Sequence, residues 1–248
     1  MEEKSKSSSE HKQENLLEMM GHFFENMFFP HHVEGTAEIS PGHRRRSSSV
    51  PSKLPALKLK DDKVSNILAV EEMQCIRDLA LSRWFQLEEW SRLYSLTRHG
   101  ASIRTLMNQC EDRGACVFLF KPSDVDKSGR KAFGVFLSES VHVCSAADAY
   151  VGSFDCCVFT VYPDGKVIPF HSTRKNAFFG HFQETFISFG GGSHFAIHVD
   201  SELFHCSSGF CETFDSPALV DDESELFPIA DMEVWGVEPD KIKSKAQD

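Results

Sequence analysis

Three groups of residues have types and spacing that chemistry can use. Gly190-Gly191-Gly192 leads into the alternating run Ser193 to Asp200, and a glycine-rich turn can cradle phosphate with its backbone N–H groups. The dinucleotide fingerprint needs a third glycine where Phe195 stands, and a helix where a strand pattern follows, so no nucleotide site is expected. His194 and His198, with His205-Cys206 and Cys211 beyond them, are metal-ligand types. On a strand, two imidazoles four residues apart share a face but stand roughly 13 Å from each other, too far for one ion. With no Cys-x-x-Cys pair and no intervening Glu, they read as surface imidazoles. Cys144, Cys206 and Cys211 are candidate nucleophiles, but a thiol needs an adjacent base and an orienting group, and no elbow or protease signature surrounds them. The expectation is no catalytic set, no metal site and no cofactor site, with a cryptic cysteine-dependent enzyme as the alternative.

A fourth group lies in the N-terminal arm. Arg44-Arg45-Arg46-Ser47-Ser48-Ser49-Val50-Pro51 sets an arginine three residues before each serine, the pattern basophilic kinases read. Arg46, Ser47, Ser48, Ser49 and Pro51 resemble the Arg-Ser-x-phosphoSer-x-Pro ligand of 14-3-3 proteins. A phosphate on Ser49 adds nearly two negative charges and acceptor oxygens for an arginine cluster. An unmodified basic linker is the alternative.

The elements that must carry these residues follow from periodicity. Residues 1–63 shift from Ser/Glu/Lys-rich to Phe/Met-rich to Pro/Arg/Ser-rich, which reads as a disordered arm. Within it, residues 14–29 carry Leu16, Leu17, Met20, Phe23, Phe24 and Met27 at helical spacing, a short helix for a partner or a flap on the chain's own domain. From Val64 to Leu96 the apolar spacing predicts helix, with Trp90, Leu93 and Tyr94 continuing it after a break. Ser102 reads as the N-cap of a short helix through Cys110, with Ile103, Leu106 and Met107 inward. Downstream the pattern turns to strands at 116–120, 132–137, 154–162, 167–170, 177–179, 185–189, 194–199 and 232–237. Pro163-Asp164-Gly165-Lys166 predicts a hairpin between two of them. Front-loaded helices and many short strands predict an α+β fold, a two-sheet antiparallel β-sandwich flanked by helices, over residues 64–240, with a flexible tail at 241–248.

Composition narrows the partners. In 248 residues there are 37 acidic against 26 basic side chains, a net charge of -11, which opposes nucleic acid and anionic lipid over most of the surface. Phe is frequent, at 22 against 3 Tyr, so the core is expected to consist largely of rings without a polar handle. Several of the eight cysteines, including Cys116, Cys156 and Cys157, lie in apolar runs and read as reduced, buried residues. No apolar run of about 18 residues is present to span a bilayer. Neither end reads as a lipidation or sorting signal, so the expectation is a soluble cytoplasmic protein.

Taken in order, Trp90-Ser91-Arg92-Leu93-Tyr94-Ser95, His99-Gly100-Ala101-Ser102-Ile103, Phe133-Gly134-Val135-Phe136, Gly190-Gly191-Gly192, Asp200-Ser201-Glu202-Leu203, Cys211-Glu212-Thr213-Phe214 and Glu233-Val234-Trp235 closely resemble the TLDc domain family, that of the oxidation resistance proteins. The match runs from about residue 65 to 240. Departures mark a divergent member: Ser172-Thr173-Arg174-Lys175-Asn176 stands for the usual Trp-Thr-Gly-x-Asn, and Ala196-Ile197-His198-Val199-Asp200 for Gly-x-Trp-Leu-Asp. The resemblance implies a helix-decorated β-sandwich and a non-enzymatic role in oxidative stress resistance. It also implies binding to peripheral subunits of the vacuolar-type proton ATPase, with recruitment to vacuolar or lysosomal membranes through that partner. Gly190, Gly191, Gly192, Asp200, Glu212, Glu233 and Trp235 carry over as motif positions, structural or contact, and none as catalytic.

Overall fold

The structure, a computed structural model, describes residues 54–60, 64–123, 129–144, 149–220 and 226–237. All of them fall in the second of two units, Ser52–Asp248. The arm segment 14–29, the Arg44–Pro51 motif and the tail 241–248 lie outside the described residues.

The chain enters through a two-residue strand, β1 (Lys58–Leu59), then forms helix α1 (Val70–Ala80) and a 3₁₀ turn, Arg83–Phe85. Strand β2 (Glu89–Ser95), the single-turn helix α2 (Leu96–His99) and helix α3 (Ile103–Cys110) follow. The remaining strands are β3 (Cys116–Pro122), β4 (Ala132–Leu137), β5 (Cys157–Val161), β6 (Val167–His171), β7 (Gly180–Phe182), β8 (Phe186–Phe189), β9 (Ile197–Asp200), β10 (His205–Ser207) and β11 (Phe227–Gly236). The helices thus precede the long strand run, as the periodicity predicts.

Helices α1 and α3 start where nearby side chains satisfy free N–H groups. Ser65 Oγ accepts from the backbone of Ile67 at 3.1 Å and Leu68 at 3.2 Å ahead of α1, and Glu72 Oε2 accepts from Ala69 N–H at 2.8 Å. Glu71 and Glu72 also sit in the first turn, where the helix dipole favours negative charge. In α3, Ser102 Oγ accepts from Thr105 N–H at 3.3 Å, while Ile103, Leu106, Met107 and Cys110 are buried; cap and inward face both agree with the sequence reading.

The ladder is antiparallel in the order β6-β5-β4-β3-β11-β10-β9-β8-β7, with β2 also on β11 and β1 parallel to β2. The fold is therefore antiparallel β-rich with few helices, but the hydrogen bonds run through all 11 strands without a gap and do not by themselves divide it into two sheets. The long strand β11 makes the junction. Its first residues pair with β10 and its later ones with β3 and β2. A bulge at Ala230, where Ile229 opposes Pro122 and Asp231 opposes Lys121, shifts the alternation by one residue. Ile229 and Met232, three apart, consequently share one core, while Trp235 and Val237 enter the other.

The first core joins β3, β4 and β11 to α3 and to β7–β9. Phe118 of β3 lies 4.9 Å from Phe189 and 6.1 Å from Phe182, ring to ring, so strands distant in ladder order pack together. The second core lies under α1, where Met73, Ile76 and Ala80 meet Phe136, Cys157, Phe159 and Trp235. Phenylalanines fill both, as the composition predicts.

Two readings of the sequence need correction. Helical spacing does not extend across residues 90–94, because β2 is a strand with its own irregularity. Tyr94 opposes Val234 and Arg92 opposes Trp235, leaving Leu93 as an extra residue, so that Trp90, Leu93 and Tyr94 imitate helical spacing. The β7–β8 hairpin also begins later than expected, with β7 at 180–182 and not 177–179. The Pro163–Lys166 hairpin is found as predicted, pairing Val161 with Val167.

Candidate functional site

The motif residues fall at three separate places. At the first, Phe189 leaves β8 and the glycines reverse the chain towards β9. Gly190 and Gly192 have φ of +79° and +108°, a region that favours residues without Cβ. A Cβ on Gly190 would stand 2.4 Å from Cys211 Sγ, and one on Gly192 2.7 Å from Glu212 Cβ. Between them Gly191 N–H donates to Thr213 Oγ1 at 2.9 Å, and that hydroxyl donates to Asn176 Oδ1 at 2.8 Å. Thr173 Oγ1 donates in turn to the carbonyls of Glu212 at 2.9 Å and Thr213 at 3.1 Å. The triple glycine is thus packed against the 211–213 turn, and its N–H at Gly191 is already used.

Asp200 stands at the far end of β9. Its Oδ1 accepts from the backbone of Phe204 at 3.1 Å and His205 at 3.4 Å, and its Oδ2 lies 2.9 Å from His205 Nδ1. It closes the β9–β10 turn, in which Leu203 has a φ of +57°.

The third place is a buried carboxylate. Glu233 is 0% exposed, and burial of a charge is costly unless hydrogen bonds and an opposite charge compensate. Here Oε2 accepts from Ser65 Oγ at 2.6 Å and Trp235 Nε1 at 3.0 Å, Oε1 accepts from Asn66 N–H at 3.0 Å, and Arg92 Nη1 lies 3.6 Å away. Arg92 also donates to Val64 O at 2.8 Å and sits over the Trp235 ring at 5.6 Å. Asn66 Nδ2 donates to Thr97 Oγ1 at 3.1 Å and lies 3.4 Å from Asp231 Oδ2. The segment before α1 is therefore clasped to β11 and β2. Ser65, Asn66, Thr97 and Asp231 were not singled out by sequence, since their partners lie more than 130 residues away for the β11 contacts. Arg92 was named only as part of a motif.

The candidate nucleophiles and ligands are placed as follows. Cys206 and Cys211 are buried, as is Cys144, and Cys211 Sγ faces Gly191 O at 3.5 Å. Burial pushes the Cys206 thiol well above its ordinary range, raises Cys156 and Cys157, and brings Cys110 up to about 12; a protonated thiol is a poor nucleophile. His198 is not a surface imidazole. It is 8% exposed, held between Phe186 at 5.4 Å and Phe195 at 5.5 Å, and burial lowers its pKa to about 4. His194 is exposed and His205 is engaged by Asp200, so these side chains do not converge. Among the described residues no three His, Cys, Asp or Glu side chains gather as a metal set, and no helix is long and apolar enough to cross a membrane. Arg46, Ser47, Ser48, Ser49 and Pro51 fall outside the described residues.

An antiparallel β-rich domain, closed by a glycine turn on a Cys-x-Thr loop and by a buried Glu-x-Trp clasp, defines the class. The TLDc domain model matches residues 62–238, and the chain belongs to that family. Relatives include the oxidation resistance protein 1 of Homo sapiens, 31% identical over 150 residues, which are 60% of this chain and 16% of that protein. The Schizosaccharomyces pombe protein of the same name is 26% identical over 168 residues, covering 63% of this chain and 85% of the relative. That of Cryptococcus neoformans is 27% identical over 182 residues, 70% and 39% of the two chains. The chain spans about a sixth of the length of its vertebrate relatives, the 16% matched in the human protein.

Proposed function

We propose that this chain is a non-enzymatic protein that serves resistance to oxidative damage by binding, and that its partner is the vacuolar-type proton ATPase, which it inhibits or helps to separate into its sectors. Family membership and the names of the relatives support the oxidative role. The observation that carries the binding mechanism is the use made of the motif side chains. Glu233, Trp235, Asp200 and the Gly191 N–H are engaged in internal hydrogen bonds, and burial pushes the thiols of Cys110, Cys156, Cys157 and Cys206 up, which favours neither acid–base chemistry by the motif residues nor thiol chemistry by these cysteines. A rigid surface is what such a domain offers. The test adds the full chain to purified ATPase and follows ATP hydrolysis and the release of the peripheral sector. A fall in hydrolysis or a gain in release supports the proposal; neither effect at stoichiometric excess overturns it.

A second reading, compatible with the first, rests on the spacing of Arg44–Pro51: phosphorylation of Ser49 recruits a 14-3-3 protein and makes the chain an adaptor. Kinase treatment followed by 14-3-3 binding tests it. Ser49→Ala is expected to abolish binding, and undiminished binding rejects Ser49 as the anchor.

A further inference from the structure

We propose that the buried guanidinium of Arg77, on α1, is the centre of a binding site for a small oxyanion, a phosphate or a free carboxylate. Arg77 is 0% exposed. Its Nε donates to Asp78 Oδ1 at 2.7 Å, while Nη1 and Nη2 are both buried without a hydrogen-bond partner. Buried polar groups are nearly always paired, and a buried cation with two open amino groups is costlier still. Asp78 does not make up the deficit. Its side chain is 35% exposed, so water screens much of its charge.

Acceptors on α1 and at its end are engaged elsewhere. Both Glu72 oxygens take Lys131 Nζ at 2.7 Å, and Oε2 also takes Ala69 N–H. Gln74 Oε1 accepts from Leu57 N–H at 3.1 Å, and Ala80 O from Cys157 Sγ at 3.2 Å. Asp78 O and Leu81 O share Gln86 Nε2 at 3.1 and 3.0 Å, and Glu71 is exposed in the first turn. The other unpartnered buried groups of this stretch can donate: Ser82 Oγ, in the exit from α1, and Trp90 Nε1. The Trp90 ring lies in the same core as Ile76 and Ala80, which flank Arg77 along the helix.

This imbalance selects the ligand. A water that accepts from the guanidinium keeps two hydrogens needing acceptors of their own, and the acceptors above are taken. An oxyanion brings acceptors alone, two oxygens at the spacing of the Nη1–Nη2 edge, with a charge that opposes the buried cation. Asp78 leaves that edge free because it holds Nε. Since Asp78 is partly in water, the guanidinium lies one hydrogen bond beneath the surface. Fraying at the end of α1 is then enough to admit a small ion, whereas the side chain of a folded partner does not reach a wholly buried group. The inference does not rest on the proposed function, and a negative ATPase assay leaves it standing.

The test titrates the full chain with sodium phosphate and, separately, sodium acetate, against sodium chloride at equal ionic strength, and follows heat of binding and melting temperature. The wild type is expected to bind a single phosphate or acetate per chain and to melt higher with it than in chloride; the tighter of the two assigns the site to phosphates or to carboxylates. Arg77→Met removes the fork but keeps an unbranched side chain, and is expected to bind about tenfold more weakly or not at all. Arg77→Lys keeps the charge without the fork, is also expected to weaken binding by about tenfold, and decides the matter if the Met variant does not fold. Equal binding by the variants overturns the proposal, since it means an adventitious ion only. A rise in melting temperature shared equally by R77M and R77K overturns it too, because that is general stabilisation by salt. So does a wild type that binds neither ion, which would leave the fork to water or to an acceptor within the chain.

Discussion

Glu233 and Trp235, two residues apart on β11, are joined by their own side chains: the indole Nε1 donates to Glu233 Oε2 at 3.0 Å. The spacing of two puts both on one face of the strand. That face looks into the core beneath α1, where Trp235 is wholly buried. A motif that reads as Glu-x-Trp is thus an acceptor and the donor it satisfies. The same carboxylate takes the hydroxyl of Ser65 and the N–H of Asn66, so one acidic side chain ties the last strand to the segment that introduces the first long helix.

Glu233→Ala removes the shared acceptor and leaves Arg92, Trp235 Nε1 and the Asn66 N–H without it. The expected loss of stability is about 3–5 kcal/mol, the range for breaking a buried ion pair from one side. Glu233→Gln keeps one carbonyl acceptor and the volume, and is expected to lose clearly less. Urea unfolding of the three proteins measures both; equal midpoints for all three would contradict the clasp.

Gly190→Ala tests the glycine turn. The substitution places a methyl 2.4 Å from Cys211 Sγ at a φ of +79°, combining overlap with a left-handed backbone, for a loss of roughly 2–4 kcal/mol. Cys211→Ala in the same chain frees the space and is expected to recover part of that loss, because the two sites share the contact. A double-mutant cycle by denaturant unfolding reads the coupling. Strictly additive losses would assign the whole effect to the backbone.

What the sequence made legible was local. Ser102 and the spacing of Ile103, Leu106 and Met107 locate α3 because cap and inward face lie within eight residues of chain. The Pro163–Lys166 turn locates its hairpin for the same reason. What it hid was produced by distant pairing. The extra residue Leu93 in β2 exists only relative to β11, and made a strand look helical. His198 looked like a surface imidazole because nothing near it in sequence announces that Phe186, from the neighbouring strand, covers it along with Phe195. The motif glycines were read correctly as a corner, whereas their contacts with Cys211 and Glu212 depend on a turn some 20 residues on, as the Gly191–Thr213 bond illustrates.

The thiols divide by exposure. Cys75 is half-buried and the other seven cysteines are buried, with the raised thiols among them held as the unreactive protonated form. In the native protein at neutral pH, Ellman's reagent is expected to titrate about one thiol promptly and the remainder orders of magnitude more slowly. Cys75→Ser is expected to remove the prompt phase. Several thiols reacting together before unfolding would point instead to direct scavenging as the route of oxidative protection.

His198 makes the fold sensitive to acid. Its pKa is lowered from 6.5 to about 4 by burial, with Asp200 opposing weakly, so the native state resists a proton that the unfolded chain accepts. The sign follows from linkage: above pH 6.5 both states hold a neutral ring and nothing is lost, whereas below it the unfolded state gains protons first and stability falls until the folded value near 4 is passed. The loss attributable to this ring is about 2 kcal/mol by pH 5 and up to roughly 3 kcal/mol below pH 4. Carboxylates titrate in the same acidic range, so the measurement is a difference. Chemical denaturation of the wild type and His198→Phe at pH 7 and pH 5 is expected to show a smaller drop in the variant, whose ring fits between Phe186 and Phe195 and carries no titrating nitrogen. An equal drop in both proteins would mean that His198 accepts its proton in the folded state as readily as in the unfolded one, and that the rings on either side stabilise the charge as well as water does.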